Sequence, residues 1–237
     1  MKILRAHFVI ENEINGKAIL RQLERYGRVC YKSEEKITDD SAADFIRGII
    51  ASKHESVIEH EKITVRLICD RGVTHEVVRH RIASYSQEST RYCNYTKGKF
   101  GSEISVIEPL FFSPLSDTQE VPVPLRWGQR TQPYIADYAP MHLNEFDVWF
   151  MGMLFAEWAY ETLINTFKRS PQEARTVLPN SLKTEIVITY NLREWRHFFK
   201  LRTSKKAHPQ MRELTIPLLK KFKKMIPAIF DDIIAEE

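Results

Sequence analysis

Two β-branched segments, far apart in the chain, most constrain how it can fold. Residues 63–68 alternate Ile, Val and Leu with other side chains, and residues 184–190 are rich in Thr, Ile and Val. Both patterns are typical of strands. The first strand is expected to end near a turn at residues 69–72, followed by a helix that starts near Thr74. The second is followed by Asn191, a residue suited to cap a helix that reaches Leu201.

Helical spacing and helix-start residues predict the other elements. Further helices are predicted over residues 15–26, 40–53, 144–167 and 217–229. Thr38, Asp39 or Asp40 can supply the N-cap oxygen of the helix at 40–53. A further helix is predicted to have Pro171 in its first turn. Residues 100–140 are rich in proline and lack a clear period, so we expect a long connection with a short strand at 105–107. Because strands and helices do not alternate strictly, we predict an α+β fold: a central mixed or antiparallel sheet flanked by helices, in a single domain over residues 1–237.

Composition narrows the class of protein. The chain has 237 residues, of which 43% are hydrophobic and 28% charged, so it is long enough to bury a core. No window approaches the ~18 consecutive apolar residues of a membrane span, and charges interrupt the first apolar run, which predicts a first strand and a cytoplasmic protein. Three cysteines without C-x-x-C spacing predict neither a disulfide framework nor a cysteine metal site. The net charge of +4 permits anionic ligands but does not require nucleic acid.

The densest polar cluster, residues 75–92, is first considered as a zinc site, because His75 and Glu76 precede His80. A helical zinc motif needs histidines at i and i+4. His75 and His80 are i and i+5, about 140° apart around a helix, so they do not chelate one ion from one face. No metal is expected.

The same cluster suits an anionic ligand. Arg79, His80 and Arg81 are followed by hydroxyls at Ser84, Ser86, Ser89 and Thr90 and by Arg91. An arginine-rich triplet is often only a solvated helix end, but fork-shaped guanidinium donors combined with hydroxyls match phosphate oxygens. The chain lacks both the G-x-G-x-x-G and the P-loop patterns, so neither nucleotide-binding motif is predicted.

These residues resemble the flavin-dependent thymidylate synthases. Arg79-His80-Arg81, seven residues, then Ser89-Thr90-Arg91 matches the R-H-R-x7-S-x-R signature of that family. Residues 54–60 resemble its upstream flavin-contacting segment, and residues 171–179 resemble its P-x-x-A-R-x-x-L-P segment. Asn191-Leu192-Arg193 then leads to Arg202. The resemblance covers roughly residues 40–95 and 144–230.

The resemblance implies an activity and its partners. Enzymes of this family transfer a methylene carbon from 5,10-methylenetetrahydrofolate to C5 of dUMP, and bound FAD, reduced by NADPH, supplies the hydride. NADPH and the folate are thus co-substrates. The resemblance also implies a homotetramer whose active sites are shared between subunits, with neither nucleic acid nor membrane as a partner.

The resemblance also implies site residues, by position. Arg202 is the expected catalytic residue, lying against the uracil, where a cation favours the N3-deprotonated ring and raises electron density at C5. The residues implied to contact FAD are Ser56, Arg79, His80, Arg81, Gln87, Asn191, Arg193 and His197. The residues implied to contact dUMP are Glu76, Arg79, Gln87, Ser89, Arg91, Arg175 and Arg202.

Other interpretations remain open at this point. Ser89 beside cations invites a nucleophile role, but no Ser-His-Asp order is evident and a ligand-donor role is simpler. Cys69 ends a predicted core strand and is expected to be inert, and Cys93 matches no nucleophile pattern. The basic residues with Tyr85, Tyr92 and Tyr95 would also suit a nucleic-acid-binding module. Finally, Ser86, Gln87 and Glu76 depart from the family's common residues, which allows a flavoprotein that methylates a different acceptor.

Overall fold

A computed structural model describes residues 1–124 and 138–236 of the chain. They form two compact units: the sheet unit, residues 4–89 and 182–236, and the second unit, residues 1–3 and 90–181. A single domain over residues 1–237 stays a prediction. No helix in the described part of the chain is long and apolar enough to cross a membrane.

Strands and helices are numbered in chain order. The described strands are β1 (Lys2–Leu4), β2 (His7–Ile10), β3 (Lys62–Asp70), β4 (Ala83–Gln87), β5 (Ser105–Ile107), β6 (Gln119–Pro124), β7 (Tyr138–Leu143) and β8 (Lys183–Asn191). The described α-helices are α1 (Gly16–Tyr31), α2 (Ser41–Ala51), α3 (Arg71–Val77), α4 (Glu145–Glu161), α5 (Pro171–Ala174), α6 (Leu192–Arg202), α7 (Pro209–Met225) and α8 (Pro227–Phe230).

The sheet unit is built on a four-stranded antiparallel sheet in the order β2-β3-β8-β4. The two strands predicted from β-branched segments pair along their whole length, with Ile63 opposite Tyr190 and Cys69 opposite Thr184. β4 lies on the other side of β8, so its residues Ala83 to Gln87 face residues 190 to 186. The α+β fold with an antiparallel sheet and flanking helices is confirmed.

Helix α6 is fixed to the sheet by an aromatic core. Trp195, Phe198 and Phe199 on α6 are fully buried. The Trp195 ring packs against Tyr190 of β8 with centroids 4.7 Å apart, and its indole N–H donates to the carbonyl of Ile63 at 3.0 Å. Burying an aromatic side chain contributes about 2–3 kcal/mol, so the position of α6 over the sheet is strongly determined.

The structure moves the start of two predicted helices. α3 begins at Arg71 rather than near Thr74, because the Asp70 side chain caps it by accepting from the Val73 amide at 2.9 Å. α2 starts at Ser41 without a side-chain cap from Thr38, Asp39 or Asp40. Here the Ser41 hydroxyl accepts instead from the Thr38 amide. α1 follows Asn15, whose side chain accepts from Ala18, and runs five residues beyond the predicted end.

The predicted helix over residues 217–229 is wrong at both ends. α7 starts at Pro209 and carries Pro217 in its interior, and a separate helix, α8, follows from Pro227. A proline in mid-helix removes one backbone hydrogen bond. The helix tolerates it because Met211, Leu214, Leu218 and Phe222 bury one face at helical spacing.

The second unit contains a hairpin that the sequence did not predict. β6 and β7 pair antiparallel, with Pro122 opposite Pro140, and β6 and the first half of β7 fall in the stretch predicted to be a long connection. A two-stranded sheet has only edge strands, where proline is tolerated. The predicted strand at 105–107 is present as β5 and pairs with β1. Residues 125–137 of the predicted connection lie outside the described residues.

The long helix of the second unit agrees with its prediction. α4 follows Asn144, which forms a capping box with Asp147, and the chain continues through a π-helical turn at Thr162–Thr166. Pro171 occupies the first turn of α5, as predicted, after a capping box between Ser170 and Glu173.

Candidate functional site

The signature histidine lies in a turn that two tyrosines hold in place. The chain leaves α3 and reaches β4 through Arg79, His80 and Arg81, and His80 is buried. The Tyr85 hydroxyl lies 2.8 Å from the carbonyl oxygen of His80 and 2.9 Å from the Tyr190 hydroxyl. These contacts tie the turn to strands β4 and β8.

The turn ends in a strained residue. Ile82 has φ of 63°, in the left-handed region, and its side chain is 75% exposed. A β-branched residue rarely adopts this conformation, which costs about 1–3 kcal/mol. Backbone strain of this kind is typical of a functional turn.

Helix α6 supplies the opposite side of the site. Asn191 caps it by accepting from the Glu194 amide at 2.8 Å, as the sequence predicted. Successive turns of α6 then present Glu194, His197 and Arg202, and the rings of His80 and His197 are 5.7 Å apart. The β4-β8 register and the phase of α6 therefore bring residues about 120 positions apart in the chain to one place.

Arg202 is held by two residues of the signature region. Its Nε donates to Nε2 of His80 at 3.1 Å, its Nη1 to the Glu76 carboxylate at 2.6 Å, and its Nη2 to the Glu76 carbonyl at 3.1 Å. A guanidinium has five N–H donors. Among the described residues, no acceptor takes the second N–H of Nη1 or of Nη2, so Arg202 is oriented and still has donors for a ligand.

His80 is a neutral acceptor in this arrangement. Burial, and then the charges of Arg202 and His197, lower the pKa of His80 from its ordinary 6.5 to about 4. Arginine only donates, so Nε2 of His80 must carry the lone pair and Nδ1 the proton. Nδ1 therefore donates to Oε1 of Glu194, which lies 3.0 Å away.

A cavity of about 420 Å³ opens beside this cluster. Its lining residues share a polar or charged character except for Ile82: they are Glu55, Glu59, Ile82, Asn191, Arg193, Glu194, Arg196, His197 and Lys200. Several of these charges are already paired, with Arg193 bound to Glu59 and Arg196 to Glu55. The volume is within the range of about 300–1,000 Å³ for small-molecule sites.

The structure brings together part of the predicted set. Asn191, Arg193 and His197 line the cavity, and His80, Glu76 and Arg202 form the cluster beside it. Ser56 is exposed in the 3-10 turn Glu55–His60, whose Glu55 and Glu59 line the cavity.

Other predicted residues lie elsewhere or make other contacts. Arg79 and Arg81 are exposed on the turn, and Ser89 follows β4. The Gln87 amide donates to the hydroxyls of Thr74 at 3.0 Å and Thr184 at 3.4 Å. Two predicted dUMP ligands belong to the second unit. There Arg91 donates to Gln172 at 3.1 Å, and Arg175 is exposed in the turn after α5.

Sequence reasoning did not name six of the residues that line the cavity: Glu55, Glu59, Ile82, Glu194, Arg196 and Lys200. Glu55 and Glu59 lie within residues 54–60, the segment that resembles the family's flavin-contacting stretch, and that resemblance was the available signal. Glu194 sits in the first turn of α6, where an acidic residue is expected for the helix dipole alone. No sequence signal pointed to its contact with His80.

His80, Glu194 and His197 also have possible metal-ligand atoms within 4.8 Å of one another. The Arg202 contact argues against a metal here. It places a guanidinium beside the group and leaves the proton on the His80 nitrogen that faces Glu194. Of the cysteines, Cys69 is buried, and burial raises the pKa of its thiol, which disfavours a nucleophile there.

Comparison with known proteins identifies the family. The sequence profile of the thymidylate synthase complementing protein family matches residues 17–228. The flavin-dependent thymidylate synthase of Mycobacterium avium (strain 104) is 34% identical over 214 residues, covering 89% of this chain and 78% of the relative. That of Mycobacterium sp. (strain JLS) is 34% identical over 225 residues, covering 94% and 82%.

Solved structures share the fold. Thymidylate synthase X from Helicobacter pylori, crystallised with FAD and dUMP, superposes with a TM-score of 0.68 at 21% identity, covering 98% of this chain and all of that one. The UMP/dUMP methylase PolB from Streptomyces cacaoi, bound with 5-Br UMP, has a TM-score of 0.68 at 17% identity, covering 98% and 95%. The resemblance drawn from the motifs is confirmed by the profile and the relatives, and this chain belongs to the thymidylate synthase complementing protein family, that of the flavin-dependent thymidylate synthases.

Proposed function

We propose that this protein is a flavin-dependent thymidylate synthase that converts dUMP to dTMP, with 5,10-methylenetetrahydrofolate as the carbon donor. The observation that carries the proposal is the placement of Arg202 between His80 and Glu76 of the signature region. Family membership favours this function over a nucleic-acid-binding module.

Arg202 is the proposed catalytic residue. Its two remaining N–H donors are available to the edge of a uracil ring. A guanidinium next to the ring lowers the pKa of the N3 proton, because an opposite charge stabilises the anion. The added electron density at C5 then favours attack on the methylene carbon. Since Arg202 is already oriented, little reorganisation is needed as charge develops.

The donors around the cavity fit a flavin dinucleotide. Lys200 offers a cation for the diphosphate, Arg193 would share its guanidinium between Glu59 and the ligand, and Asn191 and His197 offer hydrogen bonds at the same wall. FAD, when bound, supplies the hydride that completes the methyl group. The proposed FAD contacts are Ser56, Arg79, His80, Arg81, Gln87, Asn191, Arg193 and His197.

The nucleotide phosphate and sugar are proposed to be bound by basic and hydroxyl groups. Glu76, Arg79, Gln87, Ser89, Arg91 and Arg175 make up this set with Arg202. Arginine is suited to the role because its planar fork binds phosphate oxygens in a bidentate manner. Arg81→Ala is expected to lower FAD retention, whereas Arg91→Ala should raise the dUMP requirement more than it lowers FAD content. Equal loss of both ligands with a collapsed circular dichroism spectrum would instead make these arginines structural.

A reductant is needed for a balanced reaction. To form dTMP, C5 of dUMP would gain the methylene carbon and lose its proton, the folate would leave as tetrahydrofolate, and a hydride from reduced flavin would complete the methyl group, so the oxidised flavin would need a reductant before the next turnover. We propose NADPH for this step, and we propose the cytoplasm, where such reductants are available, as the location. Steady-state assays with NADPH against NADH test the preference.

We also propose a homotetramer with shared active sites. In support, α4 exposes Val148, Leu154, Phe155 and Trp158, and Met151 joins the last three in lining an apolar groove of about 540 Å³. An apolar surface of this kind is typical of a subunit interface. If Arg79 and Arg202 serve one pocket from different chains, mixing inactive Arg79→Ala and Arg202→Ala proteins should partly restore activity after subunit exchange. A monomeric mass by light scattering at full activity would contradict the proposal.

The function itself is tested by the visible spectrum and the product. Purified protein should be yellow, dUMP should shift the flavin bands, and dTMP should form when methylenetetrahydrofolate and NADPH are added. Methylation of UMP but not dUMP would favour a different acceptor. Salt-sensitive binding of a random oligonucleotide without bound flavin would favour the nucleic-acid-binding alternative.

A further inference from the structure

Glu194 has a contact that neither the motifs nor the proposed function assigns. Its Oε1 lies 3.0 Å from Nδ1 of His80, and Nε2 of the same ring lies 3.1 Å from Nε of Arg202. Three side chains thus form one hydrogen-bonded chain, Glu194 to His80 to Arg202, which we call the relay. The relay connects the first turn of α6 to its last residue through the turn before β4.

Each contact in the relay fixes the next one. Because arginine only donates, Arg202 requires a lone pair on Nε2 of His80, and the ring proton must then sit on Nδ1. The Glu194 carboxylate is the acceptor that stabilises this tautomer. Without it, the ring would be free to carry its proton on Nε2, where an N–H would face the N–H of Arg202 and repel it.

The relay is shielded from water. The side chain of His80 is 4% exposed and that of Glu194 is 13% exposed. Burial raises the pKa of the Glu194 carboxyl and lowers that of His80, so the imidazole is neutral at neutral pH. Hydrogen bonds in such surroundings are stronger than in water, and an unmade one is costly.

We propose that Glu194 is a positioning residue, which sets the tautomer of His80 and thereby holds Arg202 in the orientation used for catalysis. The inference rests on the proposed function for its kinetic part only. Glu76 fixes the terminal nitrogens of Arg202, whereas the relay fixes Nε, so both are needed to define the plane of the guanidinium. Partners that orient a metal-ligating imidazole typically affect activity by about 10–100-fold, and we expect an effect of the same order for an imidazole that orients a catalytic arginine.

A matched pair of variants separates the effect of the hydrogen-bond acceptor at position 194 from the effect of side-chain volume. Glu194→Gln keeps an oxygen that accepts from Nδ1, and Glu194→Met has a similar size but no such acceptor. We expect Glu194→Met to lower kcat about tenfold or more, with KM for dUMP and FAD content changed less than about twofold. Glu194→Gln should stay within about threefold of wild type. Glu13→Gln, at an exposed glutamate, controls for the loss of one negative charge.

The tautomer provides a readout independent of activity. In protein with ¹⁵N-labelled histidine, the His80 nitrogen shifts should report a proton on Nδ1 in wild type and in Glu194→Gln, and its loss from Nδ1 in Glu194→Met. A wild-type proton on Nε2 would overturn the relay. A changed tautomer with unchanged kcat in Glu194→Met would overturn the positioning role, as would a large kcat loss in Glu194→Gln.

The two proposals fail in different ways. If wild-type protein forms no dTMP, the proposed function is wrong, and the tautomer measurement still decides the relay. If Glu194→Met does not fold, the wild-type tautomer and the activity of Glu194→Gln decide it.

Discussion

Two of the three arginines of helix α6, Arg196 and Arg202, have opposite settings. Arg196 is 2% exposed and binds both carboxylate oxygens of Asp232, at 2.6 and 2.7 Å, and the carbonyl of Ile229. Arg202 is 20% exposed and is held by a neutral imidazole and by Glu76. The Arg196 guanidinium donates its hydrogen bonds to other residues of the protein, whereas the Arg202 guanidinium has N–H groups left for a ligand. The partners of an arginine, rather than its residue type, therefore separate a structural role from a catalytic one.

The largest expected effect is on activity, at Arg202. Arg202→Ala should lower dTMP formation at saturating dUMP by about a thousandfold, equivalent to about 4 kcal/mol, because the interaction with the developing ring charge is lost. Flavin content and circular dichroism should stay near wild type. Arg47→Ala, at an exposed arginine, is the control. Near-normal turnover in Arg202→Ala would show that Arg202 is not catalytic and would contradict the distinction drawn between Arg196 and Arg202.

The next effect is on stability, at Arg196. Asp232→Ala should lower the free energy of unfolding by about 3 kcal/mol, since it removes the bidentate carboxylate of a buried guanidinium and leaves it only the carboxylate of Glu55, at 3.4 Å. This is the low end for a buried pair, because Asp232 is half-exposed. Urea unfolding measures the change. Asp44→Ala removes a fully surface pair with Arg47 and should cost less than about 1 kcal/mol. Equal losses in both variants would contradict the structural role of Arg196.

The pH dependence of stability tests whether the imidazole beside Arg202 is neutral. The pKa of His80 is lowered to about 4, so between pH 6.5 and 4 the unfolded chain binds a proton that the folded chain does not. Stability should therefore fall as pH falls through this window, by about 2 kcal/mol at pH 5. Glu194, whose pKa is raised, acts in the opposite direction, and His197 and Arg202 face the same ring.

The test compares wild type with His80→Gln, which lacks the titrating group. Unfolding free energies measured from pH 8 to pH 5 should diverge toward low pH, with wild type losing more. Parallel curves would mean that His80 is not held neutral beside Arg202.

The smallest effect concerns the strained turn near Arg202. Ile82→Gly should raise the free energy of unfolding by about 1 kcal/mol, because relief of the left-handed strain exceeds the entropy cost of glycine. Ile82→Ala keeps a Cβ and should be less stable than Ile82→Gly. Thermal unfolding ranks the three proteins. If Ile82→Gly is the least stable, the turn is not strained and this part of the site is less distinct from the rest of the chain.

Much of the sheet unit could be predicted, because strands β3 and β8 and helices α1 and α6 carry strong periodicity or caps. The errors have local causes. Asp70 was read as part of a turn although it caps α3, and Pro217 was read as a helix start although burial of four apolar residues outweighs its missing donor. The β6–β7 hairpin was missed because proline at paired positions argues against strands, except in an edge pair.

The sequence predicted several residues of the site but not the hydrogen bonds between them. The motif resemblance named His80, Glu76 and Arg202, and the structure adds that they touch. Glu194 could not be predicted because the sequence does not show which of the many carboxylates in the chain contacts His80. The pairing register of β4 with β8 and the phase of α6 decide which one does, and neither is a local property of the sequence.

The most direct test of the proposed function is the mass of the nucleotide product made from dUMP and methylenetetrahydrofolate deuterated at the methylene carbon. The proposal predicts dTMP whose new methyl group carries both deuteriums, formed by the flavin-loaded wild-type protein and not by Arg202→Ala. Recovery of unmethylated dUMP from the flavin-loaded wild-type protein, with carbon donor and NADPH present, would contradict it.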